Sequence, residues 1–145
     1  MNYILHTDGG ARGNPGPAAI GVVVCNKNDE QLKSYGEYIG ETTNNEAEYR
    51  AVITGLKKIK SVWGKDQAKK SCVEVRSDSE LLVNQMQGKY KIEHPNLQKF
   101  FLELWNLRTE FQDVVFTAVL RGKNKEADRL VNEALDGQQS ARGLF

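Results

Sequence analysis

Residues 3–25 read YILHTDGGARGNPGPAAIGVVVC, and the reading of that stretch decides the fold class. Tyr3 to Thr7 is apolar and β-prone and runs into Asp8-Gly9-Gly10, the pattern of a strand ending in a tight turn. Gly13-Asn14-Pro15-Gly16-Pro17 is a second turn cluster. Ala18 to Cys25 is a short, β-branched apolar run of the kind that fills a buried central strand. Asn26 to Glu30 is a polar hairpin loop, and Gln31 to Ile39 alternates as a third strand. Three strands joined by short loops make an antiparallel meander.

The texture changes at Thr42-Thr43-Asn44-Asn45. Thr and Asn are good helix N-caps, and Glu46 and Glu48 fall in the favourable first turn. Apolar positions Ala47, Ala51, Val52, Leu56 and Ile59 recur at helical spacing up to Trp63. Gly64 to Ser71 reads as a basic connection and Cys72 to Arg76 as a fourth strand. A helix capped by Asp78 or Ser79 runs through Met86 and stops at Gly88. Pro95 opens another helix; Val114 to Leu120 is a fifth strand; Lys123 to Leu135 is a last helix. The order βββαβααβα predicts an α/β protein with a mixed sheet flanked by helices. It forms one domain over residues 1–135, followed by a loose polar tail over 136–145.

Composition narrows the function classes. The chain has 145 residues, net charge +1 and two cysteines, with 39% apolar and 27% charged residues. That is ordinary globular composition, long enough for its own core, and it excludes a disulfide scaffold and a strongly basic nucleic-acid coat protein. No run approaches a membrane span and the N-terminus turns polar too early for a signal peptide, so a cytoplasmic protein is expected.

Four carboxylates stand out: Asp8 ends the first expected strand, Glu48 lies in the first helical turn, Asp78 follows the fourth strand and Asp128 is inside the last helix. If the first and fourth strands are neighbours, Asp8 and Asp78 meet at the carboxyl ends of strands, where open α/β sheets bind ligands. Converging carboxylates repel unless cations neutralise them, and magnesium suits such a set of hard oxygens. The residues alone leave helix capping open for Glu48 and Asp78, and a turn role for Asp8.

Thr7-Asp8-Gly9-Gly10 with Gly13-Asn14-Pro15-Gly16-Pro17, then Thr43-Asn44-Asn45 with Glu48, Ser77-Asp78-Ser79, and Asn124-Lys125-Glu126-Ala127-Asp128 closely resemble type 1 ribonuclease H. The likeness spans about residues 3–135 and is nearest to the short bacterial and archaeal branch that lacks a basic handle. It implies the ribonuclease H-like fold, a five-stranded mixed sheet of three antiparallel strands followed by parallel αβ units. It also implies two-metal-ion hydrolysis of the RNA strand of RNA–DNA hybrids, leaving 5′-phosphate and 3′-hydroxyl ends. By motif, Asp8, Glu48, Asp78 and Asp128 are the catalytic, metal-holding acids, for two Mg2+ with Mn2+ as substitute. The offset from Asn45 selects Glu48 over Glu46. Gly9, Gly10, Asn14, Thr43, Asn44 and Asn45 match positions that touch substrate, although Asn14 can simply make its turn and Thr43 or Asn44 can cap the helix. Double-stranded RNA is a second candidate substrate, and a monomer is expected.

Two departures from the family pattern stand out. Glu41 occupies a place where many relatives carry an Arg beside the phosphate pocket. The loop before Asp128, Arg121-Gly122-Lys123-Asn124-Lys125, is short and has no His, so Arg121 or Lys123 is left as an auxiliary cation. Lys89 and Tyr90 stand where a basic handle would be, which leaves two readings open: a minimal substitute for the handle, or a solvated helix-exit turn. His6 and His94 read as structural, Trp63 and Trp105 as core, and Cys25 and Cys72 as small buried hydrophobes. Neither cysteine pairs with a His at metal-ligand spacing, so zinc is not expected. A hybrid-binding module without catalysis, and another nuclease on the same fold, are the competing readings.

Overall fold

Strand alternation sorts the apolar residues onto two faces, and each face recruits its own helices. The computed structural model describes residues 2–143, with side chains through residue 139. Strands β1 (Asn2–Ala11), β2 (Gly16–Asn26), β3 (Gln31–Thr42), β4 (Cys72–Ser77) and β5 (Asp113–Ala118) form one sheet in the order β3-β2-β1-β4-β5. The β1–β2 and β2–β3 pairs are antiparallel; β1–β4 and β4–β5 are parallel. The helices are α1 (Asn44–Trp63), α2 (Lys65–Lys69), α3 (Glu80–Met86), α4 (Pro95–Arg108) and α5 (Lys125–Gly143).

On one face, Tyr3, Leu5, Val22, Val24, Val73 and Val75 pack against Tyr49, Val52, Leu56 and Ile59 of α1 and Leu97, Leu104 and Leu107 of α4. On the other, Ile4, Val23 and Cys25 meet Ala127 and Leu130 of α5, and Ala19 meets Val131 and Leu135. Part of the basic stretch of α1 ties it to the α4 region: Lys57 lies 3.0 Å from Glu103, and Lys60 lies 3.0 Å from Glu110.

Two glycines set how close the helices come. A Cβ on Gly9 of β1 would lie 2.3 Å from the Ala47 carbonyl carbon of α1. A Cβ on Gly21 of β2 would lie 2.1 Å from the Ala127 carbonyl oxygen of α5. Both neighbours are backbone, so neither contact can be relieved by a rotamer change.

The five-stranded mixed sheet is as expected, and several boundaries differ. β1 does not turn at Asp8; Gly9 and Gly10 pair with Ile20 and Ala19, and the turn falls over residues 12–15. The Gly64–Ser71 connection contains the short α2. The last strand stops at Ala118, and a 3-10 turn over Arg121–Lys123 precedes α5. α5 does not end near Leu135 but runs to Gly143, because Arg12 pairs with Asp136 (2.7 Å) and donates to Gln139 Oε1 (2.7 Å). The final two residues of the expected tail, Leu144 and Phe145, lie outside the described residues. Trp63 packs on Tyr3 with ring centroids 4.9 Å apart and the rings tilted by 37°, but Trp105 is 41% exposed, with Arg108 over its ring. Cys25 is buried and Cys72 only partly so. No helix among the described residues is long and apolar enough to cross a membrane.

Replacing Gly21 with Ala is expected to destabilise the chain by about 2–4 kcal/mol through the backbone clash with α5. Urea denaturation of Gly21→Ala beside the parent checks this; an unchanged midpoint would mean that α5 does not sit on β2 as described.

Candidate active site

The site begins where two parallel strands part. β1 and β4 pair as far as Thr7 and Ser77, while β1 continues alongside β2 to Ala11. Asp8 and Asp78 are the next residues on the two strands, so they flank the opening at the carboxyl end of the sheet. The first turns of α1 deliver Glu48 to the same place. Thr43 caps α1, accepting from the Glu46 N–H (3.2 Å) and donating to Glu46 Oε2 (3.1 Å), a reciprocal cap that turns Glu46 away from the opening. Glu48 accepts from the Gly9 N–H at 2.5 Å and from the Ser77 hydroxyl at 3.3 Å.

The carboxylate oxygens of Asp8, Glu48 and Asp78 lie within 4.8 Å of one another. Asp8 and Glu48 are each only 7% exposed. Asp128 stands outside this group of three, at the first turns of α5, close enough to Asp8 for charge and hydrogen bonding to act between them. Arg121 lies 3.9 Å from Asp128 Oδ1 and is the cation of the site, with its side chain 83% exposed. Asp8, Glu48 and Asp78 border an open cleft of about 410 Å3 together with Gly9, Asn44, Asn45 and Arg121.

Burying like charges together moves their protonation. Burial, and then the charges of Asp78 and Asp128, push Asp8 from its ordinary 3.8 up to about 7, against a hydrogen bond with Glu48 that pulls it down. Burial and the Asp8 charge hold Glu48 well above the usual carboxylate range. Burial raises Asp78, Arg121 opposes the rise, and Asp128 adds to it. A set of hard oxygens in this condition fits divalent magnesium or manganese: a dication restores the charge balance that the fold leaves open.

The other expected residues divide. Gly9, Asn44 and Asn45 border the cleft. Asn14 Oδ1 accepts from the Asn44 N–H (3.0 Å) and Asn44 Oδ1 from the Ala11 N–H (2.8 Å), so the turn after β1 is laced to the start of α1. Their amide N–H2 groups are left for other partners. Gly10 packs against Val131, Thr43 is used as the cap, and Lys123 borders a different cleft, beside His6 and Cys25. Lys89 and Tyr90 lie in the connection after α3, their backbone N–H groups bonded to the Asn84 carbonyl, and do not border the acid cleft. His6 bonds Asp29, and His94 caps α4. Ser77, as the partner of Glu48, was not anticipated. Its signal lies in the alternation of Cys72 to Ser77, which places a polar residue at an inward position.

Residues 6–134 match a protein family described as reverse transcriptase-like. Among curated proteins, the chain is 40% identical over 129 residues to ribonuclease HI of Halobacterium salinarum, covering 89% of this chain and 62% of that protein. It is 39% identical over 137 residues to bifunctional protein Rv2228c of Mycobacterium tuberculosis, covering 94% of this chain and 36% of the other. The chain thus spans about a third of the length of the first curated relatives it matches. Among solved structures, LC11-RNase H1 in complex with an RNA/DNA hybrid superposes with a TM-score of 0.89 at 47% identity, covering 94% of this chain and 99% of that one. RNase H1 of Halobacterium salinarum superposes at 0.86 with 36% identity, covering 94% and 99%.

The raised carboxyl pKa values carry a sign. Without a cation, the folded cluster binds more protons than the unfolded chain between about pH 4 and about pH 7. That contribution to stability is full below the ordinary carboxylate range and is lost as pH rises through about 7. In chelator, the melting temperature is therefore expected to fall across that window. Asp8→Asn is expected to flatten the fall and to raise the melting temperature above neutral pH by about 2–4 °C. Calorimetry of both proteins across the window checks the sign.

Proposed function

Because the chain belongs to the type 1 ribonuclease H family, we propose that it hydrolyses the RNA strand of RNA–DNA hybrids in a cation-dependent reaction, leaving 5′-phosphate and 3′-hydroxyl ends. The observation that carries the reading is the convergence of Asp8, Glu48 and Asp78 from two strands and a helix to within 4.8 Å at the mouth of an open cleft. Such a set has no structural benefit that offsets its repulsion, whereas it suits two Mg2+ or Mn2+, with Asp128 completing the ligands. When bound, such ions supply Lewis acidity, making the attacking water more nucleophilic and taking up charge on the leaving 3′ oxygen.

The chain's own residues do the rest. Glu48 is held by the Gly9 N–H and the Ser77 hydroxyl, so its carboxylate is oriented before any ligand arrives. Arg121 reaches over the opening from the loop before α5, where a guanidinium suits the scissile phosphate. It occupies the loop that in many relatives carries a His, and it acts as a fixed positive charge rather than as a proton carrier. Asn14 and Asn44 have spent their amide oxygens on the protein, so they present donors to the acceptors of a minor groove and its 2′-hydroxyls. Asn45 borders the acid cleft one residue on. Double-stranded RNA shares the 2′-hydroxyl and is the second substrate to try.

A labelled RNA–DNA hybrid incubated with the protein and Mg2+, with and without chelator, tests the reading beside duplex DNA, a DNA junction, single-stranded RNA and double-stranded RNA. Cleavage confined to an RNA strand and abolished by chelator is expected. Binding without cleavage would reject the enzyme reading in favour of a hybrid-binding module. Asp8→Asn and Asp78→Asn are expected to keep the fold and lower the rate by roughly a thousandfold or more. Near-normal cleavage by either would remove that residue from the reaction.

A further inference from the structure

Cysteine and histidine spacing along the chain offers no ligand motif, but pairing of the strands brings the two together. On the face of the sheet that α5 covers, Cys25 lies opposite Ile4 and Val23 opposite His6, so Cys25 and His6 are diagonal neighbours on adjacent strands. The β2–β3 hairpin brings Asp29 to the same point. Asn26 Oδ1 accepts from the N–H groups of Asn28 (2.9 Å) and Glu30 (3.0 Å), and the Asp29 N–H donates to the Asn26 carbonyl (3.0 Å). Within this turn Asp29 takes φ 62°, a left-handed conformation that Asp adopts more readily than most residues. His6 Nε2, Cys25 Sγ and a carboxylate oxygen of Asp29 consequently lie within 4.8 Å of one another, with His6 Nε2 2.7 Å from Asp29 Oδ1.

A second observation points to a ligand. The three residues border a cleft of about 200 Å3, and Asn124 borders the same cleft. Asn124 is 2% exposed; its Nδ2 donates to the Thr7 carbonyl (2.8 Å), which fixes the amide, and its buried Oδ1 has no protein donor. An acceptor left so costs free energy unless a water or a ligand's water serves it.

We propose that His6, Cys25 and Asp29 form a binding site for a thiophilic divalent cation of the zinc class, separate from the acid cluster, with solvent completing a tetrahedral shell. Zinc bonds of about 2.0–2.3 Å set neighbouring ligand atoms about 3.5 Å apart. His6 Nε2 and Asp29 Oδ1 lie 2.7 Å apart and no pair of the three ligand atoms is separated by more than 4.8 Å, so the donors already stand at about the spacing that one shared ion requires. Nitrogen, sulfur and one carboxylate oxygen are a borderline-soft donor set that selects zinc over magnesium. On binding, the Cys25 S–H bond breaks, the sulfur keeps the electron pair for the cation, and the proton leaves to solvent. Arg76, held by Glu74 at 3.1 Å and lying 3.8 Å from Asp29 Oδ2, orients the carboxylate from outside. With three protein ligands and solvent as the fourth, the affinity falls below that of closed four-ligand sites.

Cobalt reports sulfur ligation directly and tests the site without reference to nuclease activity. The full chain in excess Mg2+, which engages the oxygen-only cluster, is titrated with Co2+. An ultraviolet thiolate-to-cobalt charge-transfer band is expected, saturating at one ion per chain and bleached by Zn2+. Cys25→Ser abolishes the band and Cys72→Ser keeps it. Asp29→Asn, at a half-exposed hairpin position that leaves folding intact, weakens Co2+ binding by at least about tenfold. Absence of the band, its survival in Cys25→Ser, or unchanged affinity in Asp29→Asn would each overturn the proposal.

Discussion

Two helices press on opposite faces of the sheet at points where only a glycine leaves room, and Asp8 lies between them. Gly9 follows Asp8 on β1 and admits the backbone of Ala47; Gly21 faces Asp8 on β2 and admits that of Ala127. In each helix the residue after the contacting alanine is an acid, Glu48 in α1 and Asp128 in α5. The close approach and the delivery of the carboxylate are therefore one feature used twice. Side chains as short as those of Asp and Glu reach a common point only if their backbones come this near.

The fold then leaves the gathered charges under-compensated. One backbone N–H, one hydroxyl and an exposed guanidinium serve Glu48 and its neighbours, and burial has already removed much of their water. Elsewhere the chain spends its cations freely, on pairs between α1 and the α4 region and along α5. A local rule broken at one place in an otherwise consistent molecule marks a site of function rather than of stability.

Much of this was legible in order along the chain. Alternation and turn chemistry yielded the meander, and helical spacing yielded α1 and α4. The register could not be read the same way: Asp8-Gly9-Gly10 has turn composition, yet the strand runs through it, because the glycines serve helix contact rather than chain reversal. The grouping of Asp8 with Glu48 and Asp78 needed the resemblance, since four acids at element ends do not by themselves imply convergence. Asp128 proved more peripheral than its three companions. Trp105 misled because an apolar helical stripe wider than the buried face leaves its margin exposed. The His6, Cys25 and Asp29 cluster was invisible because ligand spacing is a property of linear motifs, whereas here β-pairing and a hairpin make the juxtaposition.

The length of α5 links parts that are distant in sequence. Asp128 sits in its first turns, and the bonds from Arg12 reach Asp136 and Gln139 further along the same helix. At 1.5 Å per residue, the acid and the anchors are about 12–17 Å apart on one stiff rod. Arg12 belongs to the turn that also carries Asn14, so that rod works as a caliper. One jaw is the carboxylate beside the cleft, the other is the loop laced to α1, and the gap between them is set by helix geometry rather than by loop compliance.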